Sequence, residues 1–169
     1  MLAEKYRSEI DTILNRYPTD QKRSAVMPLL YLAQREYGYV TRDALCEVSE
    51  LTGLTPAEVA SVSGFYTLYH TRHMGKRRVQ VCADLPCALR GAEKFAEELC
   101  AGLGVKLGET TADGEFTVET VTCLAGCDKA PLFQVQDAEG VRYYESEAPD
   151  RPLSVEKALE ILSGLRHKT

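Results

Sequence analysis

The chain could do chemistry at two pairs of cysteines. In VQVCADLPC, Cys82 and Cys87 are spaced C-x4-C, and in VTCLAGC, Cys123 and Cys127 are spaced C-x3-C. Each pair ends a run that reads as a short strand. A thiolate is a nucleophile and a metal ligand, so four of them on neighbouring strand ends can surround one small object. Structural zinc accepts four thiolates in a tetrahedron. A [2Fe–2S] unit accepts two on each iron. A thiol oxidoreductase would instead cycle a Cys82–Cys87 disulfide, and the C-x-x-C such proteins use is absent from the first strand–helix junction.

Spacing favours two irons over one zinc. Zinc ribbons use tight C-x2-C knuckles, and both pairs here are looser. The bacterial ferredoxin run C-x2-C-x2-C is missing, and Arg90 stands where a plant-type pattern would need its third cysteine. A Rieske centre would need two histidines beside the cysteines; His70, His73 and His167 are not placed for that. The loops Ala83-Asp84-Leu85 and Leu124-Ala125-Gly126 are mostly small or apolar, so backbone N–H groups can approach the sulfurs. Gly126 is expected to supply the tight, left-handed backbone of such a wrap. The helix after Cys87 is expected to aim its positive end at the cluster.

Length and charge set the frame for these loops. A chain of 169 residues buries roughly 70% of its unfolded surface, so it needs no metal or disulfide merely to fold. Hydrophobic residues make up 44% and charged ones 27%, as in globular proteins. A net charge of −5 argues against a nucleic-acid binder. The N-terminus carries charges throughout and lacks the apolar core of a signal peptide. The longest nearly apolar run, 26–33, is far short of a membrane span. A cytosolic protein is expected, in which six cysteines serve metal or catalysis rather than disulfides.

Periodicity divides the chain at about residue 75. Residues 3–17 place Tyr6, Ile10, Ile13 and Leu14 on one helical face, ended by Pro18. A second helix carries Val26, Leu29, Leu30, Ala33 and Tyr37, with Pro28 at its start or at a kink. A third runs from a Thr41 cap to a Gly53 stop, and a fourth opens with the capping box of Thr55, Pro56 and Glu58. Residues 1–75 thus read as a four-helix bundle. Residues 76–169 follow as strand 77–82, helix 89–103, strand 115–122, strands 132–136 and 141–144, and a closing helix from Ser154 with Arg166, His167 and Lys168 at its negative end. A right-handed β-α-β unit followed by a hairpin gives a four-stranded mixed sheet covered by two helices, the outline of a thioredoxin-like α/β domain.

At these residues the chain resembles a known family. Val81–Cys87 followed by V-x-C-L-x-x-C-x-x-A-P, residues 121–131, resembles the thioredoxin-like [2Fe–2S] ferredoxins, best known from a subunit of bacterial NADH-quinone oxidoreductase (respiratory complex I). The stretches MPLLYLAQREYGYV and LTGLTPAEVASVSGFYTLY look like that family too, so the likeness spans about residues 5–165. The resemblance implies Cys82, Cys87, Cys123 and Cys127 as ligands of one [2Fe–2S] cluster. It implies an electron-carrying subunit with no substrate site of its own. The implied partner is an NADH-binding flavoprotein subunit holding FMN and a [4Fe–4S] cluster. The complex would be a peripheral arm on the cytoplasmic side of the inner membrane, with no direct membrane insertion by this chain. Related subunits serve NAD-dependent formate dehydrogenases and NAD(P)-linked hydrogenases. A zinc-stapled binding module is the alternative from another class.

Other conspicuous residues have plainer readings. Cys46 and Cys100 lie on apolar helical patterns and are expected in cores. His70 and His73 are expected at a surface or interface. Phe65, Tyr66 and Tyr69 could form a docking face, and their helical spacing favours core packing. Lys76, Arg77 and Arg78 are expected as a solvated cluster on an edge strand. By the resemblance, Pro131 falls where thioredoxin-like folds carry a cis proline.

Overall fold

The structure, a computed structural model, describes residues 1–166. The chain divides into two compact units, Met1–His73 and Met74–Thr169. His167 and Lys168 of the expected helix end lie outside the described residues.

The first unit is helical: α1 (Leu2–Lys5), α2 (Arg7–Leu14), α3 (Val26–Tyr37), α4 (Arg42–Thr52) and α5 (Pro56–Phe65). The single N-terminal helix expected over 3–17 is broken at Tyr6, whose φ of −121° and ψ of 27° lie outside the helical range. Pro28 kinks nothing. It sits in the first turn of α3, where a missing N–H leaves no bond unmade. The caps form as their residue types require. Thr41 Oγ1 accepts from the Ala44 N–H at 3.0 Å, and Thr55 and Glu58 close a reciprocal capping box. Ile10, Ile13, Leu29, Leu30, Ala33, Val48 and Val59 fill this unit's core.

The second unit is a sheet with helices packed on it. Its elements are β1 (Arg77–Cys82), α6 (Leu85–Ala88), α7 (Ala92–Leu103), β2 (Phe116–Val121), β3 (Leu132–Asp137), β4 (Gly140–Glu145) and α8 (Val155–Arg166). Strand order is β2-β1-β3-β4, with β1 and β2 parallel and both other pairs antiparallel. The expected mixed sheet is therefore present. Alternation puts Val79, Val81, Phe116, Val118, Phe133 and Val135 on one face, where Phe95, Leu99, Ala158 and Leu162 of α7 and α8 pack. On the other face Gln80 donates to Glu119 at 2.7 Å and accepts from Gln134 at 2.6 Å, a polar ladder across three strands. Among the described residues no helix is long and apolar enough to cross a membrane.

The basic run differs from expectation. Strand β1 is central, paired on both sides, so Arg77 and Arg78 cannot project from an edge. Their side chains are only 13% and 11% exposed, and Arg77 pairs with Glu115 and Asp137. Lys76 alone of the three is solvated, while bonded to Glu115 at 2.6 Å.

Candidate metal centre

Parallel pairing explains why the two cysteine pairs meet. Cys82 lies opposite Val121 in the β1–β2 register, so both strands run out at the same edge. The carboxyl ends of parallel strands are where α/β sheets present their loops to ligands. Cys82 ends β1, Cys87 sits inside α6, and Cys123 follows β2 by two residues. Cys127 opens a short 3-10 turn, Cys127–Lys129, before the cis Ala130–Pro131 peptide that the resemblance implied.

The four thiols form one buried and one outward pair. Cys82 and Cys87 are buried against Ala92, Ala130 and Leu132, whereas Cys123 is exposed and Cys127 half-buried. Among the described residues no three His, Cys, Asp or Glu side chains form a group that could hold one metal ion. Burial first, then the Cys82 thiol, then the charges of Cys127 and Cys123, push Cys87 up to about 12. Burial, Cys123, Cys82 and Asp84 raise Cys127 as well. A cationic centre would offset the neighbouring thiol charges that raise Cys87 and Cys127.

Backbone donors point at the sulfurs. The Leu124 N–H lies 3.4 Å from Cys82 Sγ, and the Ala125 N–H lies 3.4 Å from Cys123 Sγ. The left-handed residue in this loop is Ala125, at φ +63°, and not Gly126 as expected from the sequence. Gly126 has φ −112°, open to any residue. Glycine is required there for space: a Cβ would collide with the Tyr143 hydroxyl and come within 3.0 Å of Leu132 Cδ2. That hydroxyl donates to the Leu124 carbonyl at 2.8 Å, and burial raises its pKa, which keeps its proton in place.

The helix after Cys87 also differs from expectation. Helix α6 begins at Leu85, capped by Asp84, so Cys87 lies within it, and Gly91 at φ +84° separates it from α7. Arg90 fills that break. It donates to the carbonyls of Ala130 (3.2 Å) and Pro149 (3.0 Å), fastening α6 to the loop after Cys127. Ser146 fastens the same loop from β4's side, its N–H on Lys129 O (3.0 Å) and its hydroxyl on Pro131 O (3.1 Å). Leu85 and Leu89, four residues apart on α6 and its cap, stand 68% and 79% exposed beside Cys87.

The remaining candidates sort themselves by burial. Cys100 is in the core, as expected. Cys46 is exposed on α4, because the apolar stripe there runs through Ala44 and Val48 and passes it by. Tyr69 is buried, with its hydroxyl on the Met27 carbonyl, but Phe65 is 79% and Tyr66 39% exposed: α5 ends at Phe65, and the helical period stops there. The backbone N–H of His70 bonds Gln34 and the His73 ring packs on Tyr39, both within the helical unit.

Similarity to known proteins matches this geometry. The family model of thioredoxin-like [2Fe–2S] ferredoxins matches residues 10–163. The chain belongs to that family. Among curated relatives it is 42% identical over 131 residues to a subunit of the NADH-quinone oxidoreductase of Rhizobium meliloti, covering 78% of this chain and 77% of the relative. It is 43% identical over 122 residues to NADH-quinone oxidoreductase subunit 2 of Thermus thermophilus, covering 72% and 67%. As a thioredoxin-like [2Fe–2S] ferredoxin it also shares its fold with an NAD+-reducing [NiFe]-hydrogenase in the H2-reduced state. That match has a TM-score of 0.61 at 19% identity, over 83% of this chain and 22% of the hydrogenase chain.

Proposed function

We propose that this ferredoxin-family chain is the electron-carrying subunit of an NADH-quinone oxidoreductase, with Cys82, Cys87, Cys123 and Cys127 holding one [2Fe–2S] cluster. The observation that carries the reading is the two-by-two thiol set at the ends of β1 and β2, with a peptide N–H aimed at one sulfur of each pair. When bound, such a cluster takes and returns single electrons. The chain's own part is to hold and tune it. Cys82 and Cys87 bury one end, while exposed Cys123 leaves the other near the surface, within reach of a docked partner. The exposed Leu85 and Leu89 lie where a docking face would need apolar area.

The proposed partner is the NADH-binding flavoprotein subunit, with FMN and a [4Fe–4S] cluster, in a peripheral arm on the cytoplasmic side of the membrane. The chain itself would carry no substrate site. Identity near 40% to subunits named for NADH-quinone oxidoreductase supports that complex over a hydrogenase or a formate dehydrogenase. The test is Cys127→Ser in the full chain. Its visible absorption should be lost or distorted while helical ellipticity stays, because the cores of both units are built from other residues. Unaltered absorption would sink the ligand assignment.

A further inference from the structure

We propose that Tyr143 is a positioning residue that fixes the Leu124–Ala125 peptide so that its N–H points at the Cys123 sulfur. This rests on the cluster reading above. A trans peptide carries its C=O and the following N–H in one plane, aimed in opposite directions. Here the Tyr143 hydroxyl holds the Leu124 oxygen at 2.8 Å, and the Ala125 N–H on the other side lies 3.4 Å from Cys123 Sγ. One side chain on β4 thus sets the aim of a donor in the cysteine loop.

The loop needs this restraint because its conformation is strained. Ala125 has φ +63°, and among the described residues it is the only non-glycine with positive φ. Alanine resists that region because its Cβ crowds the backbone. Rotating the Leu124–Ala125 plane by half a turn would return Ala125 to negative φ and swing its N–H away from Cys123. The Tyr143 bond opposes that rotation, since a turned carbonyl would leave the hydroxyl behind. Gly126 completes the arrangement, because only a residue without Cβ lets the hydroxyl lie so close to the loop.

The consequence is electrical. A donor on a ligand sulfur stabilises the extra negative charge of the reduced state and so raises the reduction potential. Tyr143→Phe keeps the ring and removes only the restraint. In the loaded full-length protein its potential should shift to more negative values, read by EPR-monitored titration. Adding Ala125→Gly to Tyr143→Phe should restore part of the shift, since glycine accepts positive φ without strain.

An unchanged potential in loaded Tyr143→Phe overturns the proposal. So does a lowered potential that Ala125→Gly leaves where it was. If Tyr143→Phe binds no cluster, recovery of loading in the double variant supports the proposal, and failure to recover overturns it. Wild-type protein without iron and sulfide refutes the cluster reading itself, an outcome separate from all of these.

Discussion

Gly126→Ala tests the packing of the cysteine loop in a way that can be worked through. At φ −112° alanine meets no backbone strain, so the effect is steric. The new Cβ collides with the Tyr143 hydroxyl and comes within 3.0 Å of Leu132 Cδ2. Overpacking of this kind costs about 1–3 kcal/mol, offset by roughly 0.4–1 kcal/mol from the stiffer unfolded chain. A net loss of about 1–2 kcal/mol is expected. In a Tyr143→Phe background the offending oxygen is gone, and Leu132, a flexible side chain, has only tenths of an ångström to yield. There the same substitution should cost under about 0.5 kcal/mol, a coupling of roughly 1 kcal/mol between the two sites. Urea unfolding of the four iron-free proteins, with unchanged slopes, measures it. Coupling within the roughly 0.3–0.5 kcal/mol scatter of independent sites would refute the contact.

Other outcomes follow from burial and charge. Phe133→Ala should cost about 3–5 kcal/mol by urea unfolding, since Phe133 is wholly buried and stacks on Tyr144 at 5.0 Å. Phe65→Ser should stay within about 0.5 kcal/mol of wild type, because the ring is exposed; a large loss would show that it packs. Thr55→Ala should cost about 1 kcal/mol by removing the cap of α5. In acid, hydrogen bonds from Lys5 and then Tyr6 hold the Glu36 carboxyl below its ordinary 4.5. A carboxyl lowered in the folded state adds stability above its unfolded value, and that stability is lost as pH falls through and below 4.5. Thermal melts across this range should show the fall, and Glu36→Gln should flatten it.

Much of this was legible in one dimension because it depends on local signals. Thr55, Pro56 and Glu58 specify a helix start by themselves. The alternation in Arg77–Cys82 and the turn at 113–114 mark strands whose order follows from a right-handed crossover. Two cysteine pairs after two strands then mark the candidate site. What stayed hidden depends on neighbours far along the chain. Nothing local in VRYYE links Tyr143 to Leu124, 19 residues away; only β4's place in the sheet does so. The positive φ at Ala125 and the need for a small residue at Gly126 both lie beside that hydroxyl, which local sequence could not place. Arg77 and Arg78 looked like solvated charges because their partners, Glu115 just before β2, Glu119 on β2 and Asp137 on β3, are far along the chain.

Metal content decides whether the four thiols of Cys82, Cys87, Cys123 and Cys127 hold two irons. The full chain would be purified without oxygen, assayed for iron, acid-labile sulfide and zinc, and examined by EPR after dithionite. The protein should be coloured, with iron and sulfide in equal amounts, about two of each per chain, and should give a paramagnetic signal on reduction. A colourless protein holding zinc would contradict the two-iron reading, leaving the fold in place and the electron-carrying role without a carrier.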